Sequence, residues 1–356
     1  MRIVQMLPTI SYGDAIGNDV FAIQDMLIDE GYETCIYAEG IDEKLPKGAA
    51  KYYNEYEDSK DTIIIYHLST GSVLNKTIKK YGAKIFIMYH NITPPEFFRP
   101  YSFFLAKLCS EGIEQAKSLV DVPKMCIADS AFNKQDLISM GYKCPIEVAP
   151  ILIKFADYEK KYNQQLVNKY SGDGYTNILF TGRIAPNKKQ EDIIQSFYYY
   201  HNYINPKSRL FIVGSYNWQD TYCKKIKKYI EELEMDEVYL TSHVPFEDIL
   251  AYYHLADIFL CLSEHEGFCV PLVEAMYFNI PIIAYDSTAV GETLGGSGFL
   301  LEDKDPKVVA EAINIVATNE EVRETMIKKE KERLKDFDNS VIKKQLSEIL
   351  KRYINI

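Results

Sequence analysis

The chain has 356 residues, enough for two domains of ordinary size, and 47% of them are hydrophobic, enough for two cores. A formal net charge of −11 excludes nucleic acid as the main partner, because a phosphate backbone calls for a basic face. The seven cysteines form no C-x-x-C pair and no zinc-ligand spacing and sit mostly in apolar runs, which reads as reduced thiols in a cytoplasmic protein.

"MRIVQMLPT" leads directly into a strand without a signal-peptide pattern, and no apolar run reaches about 18 residues. The expectation is a cytoplasmic protein, with the inner face of a membrane left open as a location. Strand candidates follow at 2–7, 34–39, 62–68, 84–91, 125–130 and 146–152. Their near-continuous apolar runs suit parallel strands covered on both faces. Helical patterns fit between them at 17–30, 72–81, 101–119 and 133–140, with Gly31, Gly82 and Gly141 placed as C-terminal caps. Gly13 and Gly17 flank "DAI" after the first strand, a spacing that is not the dinucleotide G-x-G-x-x-G. His67 and His90 both end strand candidates, the edge where a doubly wound sheet presents ligands. The aromatic segment 96–108, "EFFRPYSFFLAKL", reads either as an acceptor or membrane contact or as an ordinary packed helix.

Residues 154–175 are polar and charged, lack a strand period and contain "SGDG", so they read as a connection between an N-terminal domain, 1–153, and a C-terminal one, 176–339. The second alternation has strand candidates at 177–183, 209–215, 237–243, 257–263, 281–286 and 297–301. The fold class is α/β: two Rossmann-like doubly wound domains facing a cleft. In the tail, 340–356, Val341, Ile342, Leu346, Ile349, Leu350, Tyr353 and Ile354 keep a helical period. That helix packs either on its own domain or back on the first.

Two constellations carry chemistry. "EHEGFCVPLVE" places Glu266 on a loop after a strand and Glu274 near the start of a helix that opens at Pro271. Glu274 read alone is a helix-start carboxylate, whereas Glu266 sits where such a fold meets its ligand. The amides of 268–272 point to the same region and suit a phosphate. In "FTGRIAPNKK", Gly182 permits a tight turn and Arg183 and Lys188 follow. A fixed guanidinium with a mobile ammonium suits a diphosphate; the alternative is a solvated surface pair.

Together these motifs resemble the retaining glycosyltransferases of family 4, which have the GT-B fold. "EHEGFCVPLVE" corresponds to the family's E-x7-E element, "GRIAPNKK" to its phosphate loop and His90 to its strand-end histidine; "DSAFNKQDLISMGY" and "AYDSTAVGETLGGSGFLL" add lesser signatures. The resemblance covers nearly the whole chain and is strongest over 177–305. It implies that Glu274 holds the ribose hydroxyls and that Glu266 faces the donor sugar. Gly182, Gly267 and the stretch Phe268, Cys269, Val270, Pro271 and Leu272 meet sugar and phosphate. Arg183 and Lys188, or Lys189 in its place, hold the leaving diphosphate. His90 lies beside the donor sugar from the opposite domain, the loop of Gly13 and Gly17 serves acceptor or donor, and the C-terminal helix returns to the first domain. The implied reaction moves a sugar from a UDP- or GDP-linked donor to a glycan or lipid-linked acceptor with retention, without metal or cofactor, in bacterial surface-polysaccharide synthesis. Two departures stand out: the first loop's glycines are separated rather than adjacent, and Lys-Lys stands where Lys-Gly is common. The rival readings are a nucleotide-sugar epimerase of the same architecture and a non-catalytic sugar-binding partner of a transferase.

Overall fold

The structure is a computed structural model and describes residues 1–216 and 219–354. It divides into two compact units. The first comprises Met1–Arg99, Phe103–Lys154 and Phe337–Ile356, the second Pro100–Ser102 and Phe155–Asp336.

In the first unit seven strands pair in parallel: β1 (Arg2–Ile10), β2 (Ile36–Ile41), β3 (Lys51–Tyr52), β4 (Thr62–Leu68), β5 (Lys84–Tyr89), β6 (Met125–Ala128) and β7 (Ile146–Val148), in the order β3-β2-β1-β4-β5-β6-β7. β4 shows why its run is uninterrupted. Ile63 and Ile65 pack into the core on one face of the sheet, while Ile64, Tyr66 and Leu68 pack into the core on the other. A strand covered on both faces has no position for a polar side chain without a partner. The candidate strand 146–152 stops at Val148, because Pro150 cannot donate to a ladder. The helix read at 72–81 is one short turn, Leu74–Thr77, continued by a tighter turn to Lys80. Gly31 and Gly141 take the left-handed conformation (φ 82° and 104°). Gly82 does not; Asp58 accepts its N–H instead (2.6 Å).

The C-terminal helix, Asn339–Tyr353, belongs to this first unit. Ile342, Leu346, Ile349, Leu350 and Ile354 share a core with Ile3, Ile63, Phe86 and Met88, and Gln345 donates to the Val148 carbonyl (2.7 Å). Leu346→Ala is therefore expected to destabilise the first unit by about 3 kcal/mol, the usual cost of an emptied leucine site, read as a lower urea midpoint.

The second unit holds β8 (Thr176–Thr181), β9 (Ser208–Val213), β10 (Val238–Leu240), β11 (Ile258–Cys261), β12 (Ile282–Tyr285) and β13 (Phe299–Leu301), all parallel, in the order β10-β9-β8-β11-β12-β13. In both sheets the order reverses once, between β1 and β4 and between β8 and β11. Crevices open beyond the carboxyl ends of strands at such reversals. Residues 155–175, read from sequence as a connection, lie inside the second unit. Tyr158 and Tyr170 are buried, and Asn163 caps the helix Gln164–Tyr170 by accepting the N–H groups of Gln165 and Leu166. The surrounding lysines and glutamates hid these few buried anchors. Among the described residues no helix is long and apolar enough to cross a membrane. Phe103 and Phe104, in the aromatic segment, are 82% and 71% exposed.

Candidate active site

Neighbouring strands β8 and β11 bring the two constellations of the second unit together. After β8 the chain turns at Gly182 (φ 145°), whose N–H bonds the Val213 carbonyl. Gly214 follows on β9, where a Cβ would stand 2.0 Å from the Gly182 carbonyl oxygen, so only glycine allows the two strand ends this approach. Arg183 is exposed, and among the described residues it has no ion-pair partner. Lys188 reaches the loop after β11, where its ammonium lies 2.6 Å from each carboxylate oxygen of Glu266. Glu266 is 7% exposed. Burial works against the Lys188 charge, but Glu266 and neighbouring groups outweigh it and hold the ammonium above its ordinary range. Lys189 turns elsewhere: it takes a left-handed backbone (φ 52°) and pairs with Glu264 at 3.1 Å. Of the two adjacent lysines, Lys188 is the one at Glu266.

The Glu266 loop is clamped from both sides. Thr288 accepts the Glu266 N–H (2.8 Å) and donates to its carbonyl (2.9 Å). Ser287 donates to the Ser263 carbonyl and Asn187 to that of His265. Sequence reasoning passed over Thr288, Ser287 and Asn187, although all three stand within motifs it singled out. The helix Val270–Tyr277 begins at Cys269, which holds φ 77°. Pro271 carries no N–H, and that of Leu272 bonds the Cys269 carbonyl. The anion-binding set expected over 268–272 therefore loses Pro271 and Leu272. The helix also begins one residue earlier than read, which puts Glu274 in the second turn, away from the end of the dipole.

Glu274 accepts from two phenols instead, Tyr253 at 2.5 Å and Tyr158 at 2.8 Å, and Tyr253 also meets the Thr181 hydroxyl at 2.6 Å. Burial raises the Glu274 pKa while the two phenols pull it back. A carboxylate fixed by two donors keeps lone pairs for two further hydroxyls. Neither tyrosine was singled out in the sequence, because a phenol reaching a carboxylate 21 or 116 residues away leaves no local pattern.

In the first unit, Gly13 is an exposed left-handed residue, whereas Gly17 is buried in the helix Ala15–Asp29. A Cβ on Gly17 would lie 2.6 Å from the Ser11 carbonyl oxygen. His90 is buried, with Nδ1 2.8 Å from Asp129 and Nε2 2.8 Å from His67 Nδ1; His67 Nε2 lies 3.0 Å from Gln5 Oε1. Both ring nitrogens of His90 are thus used inside the unit. Asn91 follows in the left-handed region (φ 71°), and its amide donates to Asn133.

Among the described residues, two groups of buried side chains have metal-ligating atoms within 4.8 Å of one another: Asp19, His67 and His90, and Cys261, Glu266 and Cys269. Several of these atoms already have partners within the protein. The two imidazoles are coplanar to 2° with centroids 5.1 Å apart, so His67 Nδ1 and His90 Nε2 face each other in line, as in a hydrogen bond. Glu266 has both oxygens on Lys188.

Residues 164–333 match the family model of the glycosyl transferases group 1. The match covers just under half of the chain. A curated relative is the capsular polysaccharide biosynthesis glycosyltransferase CapM of Staphylococcus aureus, 25% identical over 62% of this chain and 56% of its own. The chain thus spans about half the length of this relative. Among solved structures, sucrose-phosphate synthase from Thermosynechococcus elongatus superposes with a TM-score of 0.76 at 14% identity, over 99% of both chains. Anabaena HepE in complex with UDP-glucose gives 0.74 at 16% identity, over 99% of this chain and all of that one. The fold is GT-B, with two Rossmann-like units. The matched segment contains Gly182, Arg183, Lys188, Glu266 and Glu274, and Tyr253 with them; Tyr158, His90, Gly13 and Gly17 lie outside it.

Proposed function

We propose that the chain is a retaining, metal-independent glycosyltransferase. It moves a sugar from a UDP- or GDP-linked donor to a glycan or lipid-linked acceptor, and the name of the CapM relative suggests surface-polysaccharide synthesis as the setting. The observation that supports this most is the Lys188–Glu266 pair at the β8–β11 reversal, with Arg183 and Glu274 in the same unit. An ammonium has three N–H groups, so Lys188 can keep Glu266 and still donate to a phosphate oxygen. The bond from the anomeric carbon to the diphosphate oxygen breaks, and negative charge grows on the leaving group beside Arg183 and Lys188. Positive charge grows on the sugar, as in glycoside hydrolysis, facing Glu266. The acceptor hydroxyl bonds to that carbon and its proton ends on the released nucleotide or solvent.

Incubation with a panel of nucleotide sugars and oligosaccharide or lipid-linked acceptors tests the reading: released UDP or GDP should rise only when an acceptor is present. Interconversion of the donor without acceptor would instead make the protein an epimerase. Transfer is expected to continue in excess EDTA, since Arg183, Lys188 and the start of the helix Val270–Tyr277 meet the diphosphate charge. An absolute need for added Mg²⁺ or Mn²⁺ would overturn that part. Tyr253→Phe is expected to weaken UDP or GDP binding about tenfold, because Glu274 loses a donor that orients it, with little change for a 2′,3′-dideoxy nucleotide. Calorimetric titration of both ligands checks this, and equal losses for the two would remove Glu274 from the ribose.

A further inference from the structure

The buried chain Gln5–His67–His90–Asp129 assigns its own protons. The Gln5 amide nitrogen donates to the Val20 carbonyl (2.9 Å) and to Gln24 (3.3 Å), which turns its oxygen toward His67 Nε2. An amide oxygen only accepts, so His67 Nε2 carries a hydrogen. His67 is fully buried, and burial and the nearby His90 charge both push its pKa down, so it is neutral and its Nδ1 is a bare acceptor. His90 Nε2, in line with it, is then an N–H. One proton remains, between His90 Nδ1 and Asp129. The groups facing His90 are Asp129, Asp19 and Asp14, with His67 opposite them. Burial opposes the His90 charge, but Asp129 foremost, then Asp19 and Asp14, outweigh it.

We propose that His67 is a positioning residue for His90: by accepting its Nε2–H, it holds His90 as a buried imidazolium paired with Asp129 and leaves no ring nitrogen for a sugar hydroxyl. What His90 offers a ligand is then a fixed charge and the placement of the left-handed Asn91 beside it. The role in transfer rests on the reading above; the proton arrangement does not. Asp19, whose carboxyl also accepts the Leu152 N–H, sits within 4.8 Å of both rings; burial pushes its pKa up to about 7, against the pull of His90. Its titration changes the charge of the cluster at neutral pH.

The test is long-range ¹⁵N–¹H NMR of the full chain labelled in its six histidine rings. Between pH 6 and 8 one buried imidazole should stay neutral with hydrogen on Nε2, and another should stay doubly protonated. His67→Leu removes the acceptor and should lower the His90 pKa by about one unit or more. His67→Gln returns an acceptor oxygen and should restore it. With a competent donor and acceptor, kcat/KM of His67→Leu should fall about tenfold above the lowered pKa while His67→Gln stays near wild type. A cationic or Nδ1-protonated His67, a His90 that titrates like a free imidazole, or identical behaviour of the two variants would overturn the proposal. If His67→Leu does not fold, the wild-type and His67→Gln spectra still decide. Absence of transfer by the wild type would sink the functional reading alone, because the spectra are read without substrate.

Discussion

Glu266→Gln is expected to lower kcat about 100-fold while leaving the donor KM within a few-fold, the pattern of an interaction made mainly in the transition state. The glutamine keeps shape and hydrogen bonding but not the charge proposed to face the developing positive centre. Glu274→Ala should fail differently. Its carboxylate, fixed by Tyr158 and Tyr253, is assigned to a part of the donor that does not react, so its loss should mainly raise KM. Steady-state kinetics against varied donor separate the two, and a pure KM effect in both would make Glu266 only another binding contact. The Lys188–Glu266 pair adds a stability signature. Lys188→Met leaves a 7%-exposed carboxylate without its partner, at a cost of about 3–5 kcal/mol. Combining it with Glu266→Gln should recover most of that stability and none of the activity, as a double-mutant cycle in urea would show.

Glu330→Gln should stabilise the second unit at pH 8 and not at pH 4.5. Glu330 is fully buried; one oxygen accepts the Ile282 N–H at 3.0 Å and the other has no partner among the described residues. Burial, against the pull of the Ile282 amide and Arg323, lifts its pKa from 4.5 to about 7. The folded chain therefore keeps this proton up to about pH 7, whereas the unfolded chain releases it near 4.5. Between these values the native state binds more protons, so stability falls as pH rises, by about 3 kcal/mol in all. A glutamine keeps the acceptor for Ile282 and carries no charge at any pH. The expected gain is about 5 °C in melting temperature at pH 8. An equal gain at pH 4.5 would show that packing, not ionisation, separates the two side chains.

Much of this was written locally. Uninterrupted apolar runs such as "TIIIYHL" announced strands covered on both faces; most lie within two residues of the strand observed, but the first strand runs on to Ile10, the run at 237–243 ends as a strand at Leu240, and Pro150 cuts another short. Period and proline rules act over a few residues, so the sequence displays them directly. The placement of Arg183, Lys188 and Glu266 on loops after strands was legible for a similar reason: strand ends can be read. Which side chains meet was not. The order of strands sets the reversal between β8 and β11, and with it the contact of Lys188 with Glu266 across 78 residues. His90 was expected to lie beside the donor sugar; what its two nitrogens meet could not be read, because the adjacency of β4 and β5 and the arrival of Asp129 decide it. Residues 155–175 looked like a linker because charge dominates their composition, while two buried tyrosines decide where they pack. The C-terminal helix displayed its apolar stripe but not the surface it covers. A periodic pattern fixes which face a helix buries; the partner is chosen by chain topology, through contacts hundreds of residues apart that no local rule encodes.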